Sequence, residues 1–295
     1  GGADARAYVF LDEMNAAPHV GLITEAICQR TLNGAAISPR VVVLAALNPY
    51  RRRPQHQLEQ APGLVFRGGG GAAGADGGAP DPMAALVYRV HPVPATLMDF
   101  IFDFGALSRA KEALYVRSMV DGELGPRCRR AAECALFATL VVEAQAYVRE
   151  AEGDASAASL RDVRRALDLL AWFEEHAVPK SKRPRPIAVA LALAHVYLYR
   201  LGSGTLRAGL WKELRTALLE RGNWSPSDDK ALREALGYEG LFEPQGFETV
   251  VATVQRKWAG RFDVGDGVAM NDALTENLFV TAVCVLNRIP VFVVG

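Results

Sequence analysis

The sequence predicts an α/β core with a partial parallel sheet, followed by a helical domain and further helices. Residues 7–12 (AYVFLD) and 41–48 (VVVLAALN) are short apolar runs rich in β-branched or aromatic residues. Such runs read as buried parallel strands rather than half-exposed ones. Between them, residues 20–31 place Leu22, Ile23, Ala26 and Ile27 on one helical face, which completes a strand, helix and strand. From residue 108 onward apolar residues recur at helical spacing.

Asn33-Gly34 supplies the turn before the second strand. Residues 68–82 hold only Gly, Ala, Asp and Pro, and cannot bury enough surface to offset their ordering entropy, so they read as a flexible surface loop. A short strand is expected over 84–90, ended by 91–95. Helices are expected over 108–121, 129–151 and 159–177. The last of these starts at Ser159, with Asp162 in the capping-box position. The proline-broken basic run 179–186 (PKSKRPRP) reads as a solvated linker. Helices at 187–201, 205–221 and 225–236 follow, then a Gly/Pro boundary around 237–246. A final helix over 271–287 leads into a strand-like run at 289–294.

The chain has 295 residues, of which 50% are hydrophobic and 22% charged, enough apolar material for a sizeable core. Thirty-three basic and thirty-three acidic residues cancel, so nothing in the total charge argues for nucleic acid or an anionic membrane as partner. The Arg51–Arg53 run reads as a solvated loop. The apolar stretch near 278–295 is interrupted by Asn287, Arg288 and Pro290, so no membrane span is expected. Cys28, Cys128, Cys134 and Cys284 lack CxxC spacing and read as free thiols in a reducing, cytoplasmic compartment. His195, inside an apolar helix, reads as a hydrogen-bonded core histidine. Trp172, Trp211, Trp224 and Trp258 read as packing anchors. With Gly1-Gly2-Ala3 at one end and a strand-like run at the other, both ends look cut, and a piece of a longer protein is expected.

The chemistry concentrates at strand ends. Val9-Phe10-Leu11-Asp12-Glu13 has the form of a Walker B element. An aspartate at the carboxyl end of a strand can hold Mg²⁺, and the next glutamate can polarise a water toward a γ-phosphate. Asn48 ends the next strand, 35 residues beyond Glu13, where an amide can bond both that water and a phosphate oxygen. The plain alternatives are a solvated acidic turn and an Asn-Pro turn.

The stretches FLDEMNAAPHVGLITEAICQRTLNG, VVVLAALNPYRRR and LVYRVHPVPATLMDFIFDFGAL resemble the mysterin family of giant AAA+ and RING-finger E3 ubiquitin ligases. SLRDVRRALDLLAWF and NDALTENLFVTAVCVLNRIPVFVVG resemble it too. The likeness covers 7–177 and 271–295. It implies a AAA+ P-loop NTPase core followed by an α-helical lid. Residues 1–95 would be the rear of the α/β core, 96–177 the lid, 178–240 a helical extension, and 241–295 a linker and the start of the next AAA+ module.

The resemblance also implies roles. Asp12 matches the Mg²⁺-associated aspartate, Glu13 the catalytic glutamate and Asn48 the sensor-1 asparagine. Arg161 stands where a sensor-2 arginine reaches the γ-phosphate, against the alternative of an ion pair with Asp162 or Asp168. Arg89 is the arginine-finger candidate, with Arg67 second; a surface arginine is the alternative for both. ATP and Mg²⁺ are the implied cofactors. The implied partners are neighbouring AAA+ modules in the same chain, with ubiquitylation machinery and protein substrates through other regions. An inactive AAA+-shaped scaffold is the alternative function. No GxxxxGK[ST] loop occurs in the 295 residues, and four scattered cysteines cannot build a RING, so the chain alone is expected to be inactive. Without neighbouring strands, the runs 8–11 and 41–47 would be poorly covered.

Overall fold

The computed structural model describes residues 5–50, 52, 83, 86, 88–105, 107–128, 131–177, 184–220, 245–265 and 267–291. The chain divides into two compact units, Gly1–Ala106 and Leu107–Gly295. The Gly-rich stretch, Arg51, Arg53, Arg67, Trp224, the helix expected at 225–236 and the end of the last strand lie outside the described residues.

In the first unit, β1 (Ala7–Leu11) pairs in parallel with the later strand β4 (Val41–Ala45), in register from Ala7 opposite Val41 to Leu11 opposite Ala45. Helix α1 (Val20–Thr24) continues through a wide turn over Glu25–Gln29. A two-residue hairpin follows, β2 (Thr31–Leu32) with β3 (Ala35–Ala36). Its turn has φ of 52° at Asn33 and 78° at Gly34, the left-handed pair that asparagine and glycine tolerate. Glu25 Oε1 accepts from the Gly34 amide at 2.9 Å and the Thr31 hydroxyl at 2.8 Å. Both bonds favour the carboxylate and lower its pKa, the Gly34 amide most. Arg30 Nη2 donates to the Ser38 and Val41 carbonyls, which fastens the hairpin to the start of β4.

Of the two expectations for these strands, burial from apolarity and poor cover without neighbouring strands, the second holds. The strands are not buried: Tyr8 is 67% exposed, Phe10 63% and Leu44 51%. A two-stranded ribbon has no layer over its apolar faces among the described residues, whatever its residues favour. In the run at 84–90, of which residues 84, 85 and 87 lie outside the described residues, Leu86 forms an isolated antiparallel bridge with Arg52.

The second unit is helical: α2 (Arg109–Leu124), α3 (Ala131–Glu152), α4 (Leu160–Trp172), α5 (Pro184–Leu193), α6 (Gly204–Glu220), α7 (Gly246–Ala259) and α8 (Asp272–Leu286). Wide turns extend α4 through Phe173–Ala177 and α5 through Ala194–Leu198. The expected capping box closes the start of α4, where the Ser159 amide donates to Asp162 Oδ2 at 2.8 Å. The Asn271 side chain accepts from the Leu274 amide at 2.8 Å and starts α8.

The α2, α4 and α6 helices pack with α3, α5 and α3 respectively, and α7 packs with α8. Phe137, Leu140, Val141, Ala144 and Val148 recur along one face of α3, all buried. Gly209 of α6 leaves room for the Tyr147 ring, whose hydroxyl donates to the Leu206 carbonyl at 2.9 Å; a Cβ there would lie 2.1 Å from that oxygen. Helix α7 was not expected from the sequence, yet Phe247, Val251, Val254 and Trp258 bury one face of it. Trp258 lies 5.7 Å from Trp172 and Trp211 stacks on Phe247 at 4.9 Å, so these tryptophans anchor packing.

The basic run expected to be a solvated linker ends in a buried charge. Arg185 lies within α5, its side chain 18% exposed. It pairs with Glu174, with Glu133 at 3.4 Å, and donates to the Arg127 carbonyl at 3.1 Å. Its Nη1 also faces Cys128 Sγ at 3.4 Å. Cys128 and Cys134, though widely spaced for a motif, bring their sulfurs to 3.1 Å. Burial first, then the Cys134 hydrogen bond, push the Cys128 pKa up to about 12. Both remain free thiols.

His195 sits in this core, its Nε2 3.7 Å from Cys284 Sγ. Burial pushes its pKa down from 6.5 to about 4; a bond to the Val280 backbone opposes this and Arg165 adds to it. The folded state therefore takes up this proton later than the unfolded chain. Its contribution is complete above pH 6.5 and is lost as pH falls toward 4, by at most about 3 kcal/mol. Denaturant midpoints across this window should fall with acid in the wild type and fall less in His195→Gln. Parallel slopes would contradict the assignment.

Candidate functional site

The parallel pairing of β1 and β4 brings their carboxyl ends side by side. Asp12 and Glu13 follow β1 directly, and both are exposed. The Glu13 amide donates to Asp12 Oδ1 at 3.0 Å, which tightens the turn. Glu13 itself adopts φ 50° and ψ 41°, a left-handed conformation that costs a non-glycine residue on the order of 1 kcal/mol. The next residues hold it there: the Ala16 amide donates to the Glu13 carbonyl at 2.8 Å and the Met14 amide to the Ala46 carbonyl at 2.9 Å.

Sequence reasoning missed Asn15. Its side chain is fully buried and grips the backbone of Asn48 at two points. Asn15 Nδ2 donates to the Asn48 carbonyl at 2.7 Å, and Asn15 Oδ1 accepts from the Asn48 amide at 3.0 Å. This side-chain amide replaces a ladder rung where β4 has ended. The grip uses only the Asn48 backbone and does not engage its side-chain amide. The Asn15 carbonyl also accepts from the His91 amide at 2.7 Å. His91 lies two residues beyond Arg89, an exposed residue. The only signal in the sequence is a polar residue two positions after the acid pair.

Asp12, Glu13, Asn48 and the segment of Arg89 thus meet around Asn15 in the first unit. Arg161 belongs to the second unit, exposed in the first turn of α4. The ion pairs considered for it are taken by other arginines: Asp162 pairs with Arg165 at 3.1 Å and Asp168 with Arg164 at 3.2 Å.

Among the described residues, no group of three His, Cys, Asp or Glu side chains is arranged to hold a metal ion. A single strand-end carboxylate suits Mg²⁺ in another way. This ion keeps several waters and is commonly bound by one or two carboxylates plus substrate phosphates. Among the described residues, no helix is long and apolar enough to cross a membrane.

A family model, the RNF213 AAA domain, matches residues 267–295. The chain is 27% identical over 295 residues to the E3 ubiquitin-protein ligase RNF213 of Mus musculus. It is 29% identical over 296 residues to E3 ubiquitin-protein ligase rnf213-beta of Danio rerio. It is 27% identical over 302 residues to E3 ubiquitin-protein ligase RNF213 of Homo sapiens. Each match covers 97% of this chain and 6% of the relative. The chain is similar to these RNF213, or mysterin, proteins and spans about 6% of the length of the curated relatives it matches.

Proposed function

We propose that this chain is part of an ATP-hydrolysing AAA+ motor module of a giant, cytoplasmic E3 ubiquitin ligase-like protein, in which hydrolysis drives conformational change. The observation that carries this reading is the juxtaposition of Asp12-Glu13 with Asn48 at the ends of two adjacent parallel strands. Asp12 would hold Mg²⁺ together with waters and phosphate oxygens. The metal would neutralise charge on the transferring phosphoryl group. Glu13 accepts the proton of the attacking water, and the Asn48 amide orients that water or a γ-phosphate oxygen.

In this reading residues 1–95 form the rear of the AAA+ core, 96–177 the lid, 178–240 a helical extension and 241–295 the approach to the next module. Arg161 reaches the γ-phosphate from the lid. Arg89 serves a nucleotide bound by a neighbouring AAA+ module of the same polypeptide. Ubiquitylation machinery and protein substrates engage other regions. Helix α8 supports a mechanical link between modules. It lies within the residues matched by the AAA family model, yet Phe279 and Val283 are buried in the helical unit and Glu276 pairs with Arg207 at 2.8 Å.

A catalytically inactive AAA+-shaped scaffold is the second reading. The two readings differ on metal dependence. In the full-length protein, Asp12→Ala should raise the Mg²⁺ concentration needed for half-maximal ATP turnover and lower the maximal rate. An unchanged Mg²⁺ titration would remove Asp12 from the site.

A further inference from the structure

We infer that Asn15 is a positioning residue for the site formed by Asp12, Glu13 and Asn48, an inference that rests on the ATP-hydrolysing reading. The argument starts from geometry. Backbone bonds between the β1 and β4 segments run on through Ala46, whose amide donates to the Leu11 carbonyl and whose carbonyl accepts from the Met14 amide, and beyond it the hold on Asn48 comes from the Asn15 side chain. Asn15 supplies that hold with one donor and one acceptor on the same peptide-bearing residue, at 2.7 and 3.0 Å. A two-point contact fixes orientation as well as distance, which a single hydrogen bond does not.

The same residue follows Glu13 by two positions in a short turn whose first residue is left-handed. Rotation of the Glu13 turn would carry the Asn15 amide with it, and Asn48 would follow. The Asn15 carbonyl extends the connection to the His91 amide and so to the segment of Arg89. Asn15 is fully buried and has no direct access to a phosphate or water in the site. Its contribution is to the relative placement of groups that do. Misplacement on the order of 1 Å can cost about a hundredfold in rate.

Asn15→Asp tests this with almost no change of shape. The carboxylate keeps an acceptor for the Asn48 amide but sets an oxygen against the Asn48 carbonyl in place of a donor. In the full-length protein, kcat for ATP should fall roughly ten- to a hundredfold, with KM little changed. Amide exchange should accelerate at Asn48 and His91 while protection within Ala7–Leu11 and Val41–Ala45 persists. Asn15→Ala should show the same pattern more strongly.

Wild-type kcat together with unchanged exchange in Asn15→Asp would overturn the inference. So would loss of protection across both strands with kcat and nucleotide affinity falling together, since that marks a purely structural residue. Glu13→Gln serves as the separate control. If it leaves turnover unchanged, the ATP-hydrolysing reading fails and the positioning role fails with it. Exchange at Asn48 and His91 then still reports whether Asn15 grips these segments. If Glu13→Gln abolishes turnover while Asn15→Asp does nothing, only the positioning role is overturned.

Discussion

Glu13→Gln in the full-length protein should lower ATP turnover at the proposed site by roughly two to four orders of magnitude while nucleotide still binds. Glutamine keeps the size and polarity of the side chain but cannot accept the proton of an attacking water. It also tolerates the left-handed backbone at φ 50° about as well as glutamate, so the turn and the Asn15 grip should survive. The loss should therefore appear in kcat and not in affinity. Turnover measured with the other ATP sites silenced, alongside equilibrium nucleotide binding, separates the two. A variant with normal turnover would remove Glu13 from catalysis, and a variant that no longer binds nucleotide would give it a different role.

Arg185→Ala has the largest expected effect on stability, about 3–5 kcal/mol. The guanidinium sits between Glu133 and Glu174, whose side chains are only 10% and 12% exposed. Its removal leaves two carboxylates with little access to water; Arg127, at 3.3 Å from Glu174, serves only one of them. The Arg127 carbonyl also loses its donor. Denaturant unfolding of the helical unit should show a lower midpoint, with part of the loss recovered when Glu133→Gln and Glu174→Gln are added. A midpoint unchanged by Arg185→Ala would mean that water enters this cluster freely.

The sequence made the parallel pair legible because short apolar runs bracket an amphipathic helix, and local composition alone carries that signal. Ser159 and Asp162 were legible for the same reason, since a capping box lies within four residues. Apolarity states what the strands of Tyr8 and Phe10 favour and not what covers them; their exposure agrees with the poor cover expected for runs without neighbouring strands. Helix α7 was hidden behind the Gly/Pro signal near 237–246, although Phe247, Val251, Val254 and Trp258 carry helical spacing. Asn15 and Arg185 were missed for a shared reason. Asn15 meets Asn48 33 residues away, and Arg185 meets Glu174 and Glu133 11 and 52 residues away, beyond the reach of any local pattern. A polar turn and a basic run look solvated until the fold supplies their partners.

The placement of the acid pair and Asn48 at neighbouring strand ends was legible because strand ends are where an α/β sheet gathers its polar groups. What joins them was not legible, since a buried amide binding backbone leaves no motif. The most direct measurement of the central claim is phosphate release from Mg·ATP by the full-length protein with every other nucleotide site silenced, compared between wild type and Glu13→Gln. The account predicts Mg²⁺-dependent release in the wild type and its near-complete loss in the variant, with ATP bound by both. Bound ATP without release in the wild type, or equal release from the two proteins, would contradict it.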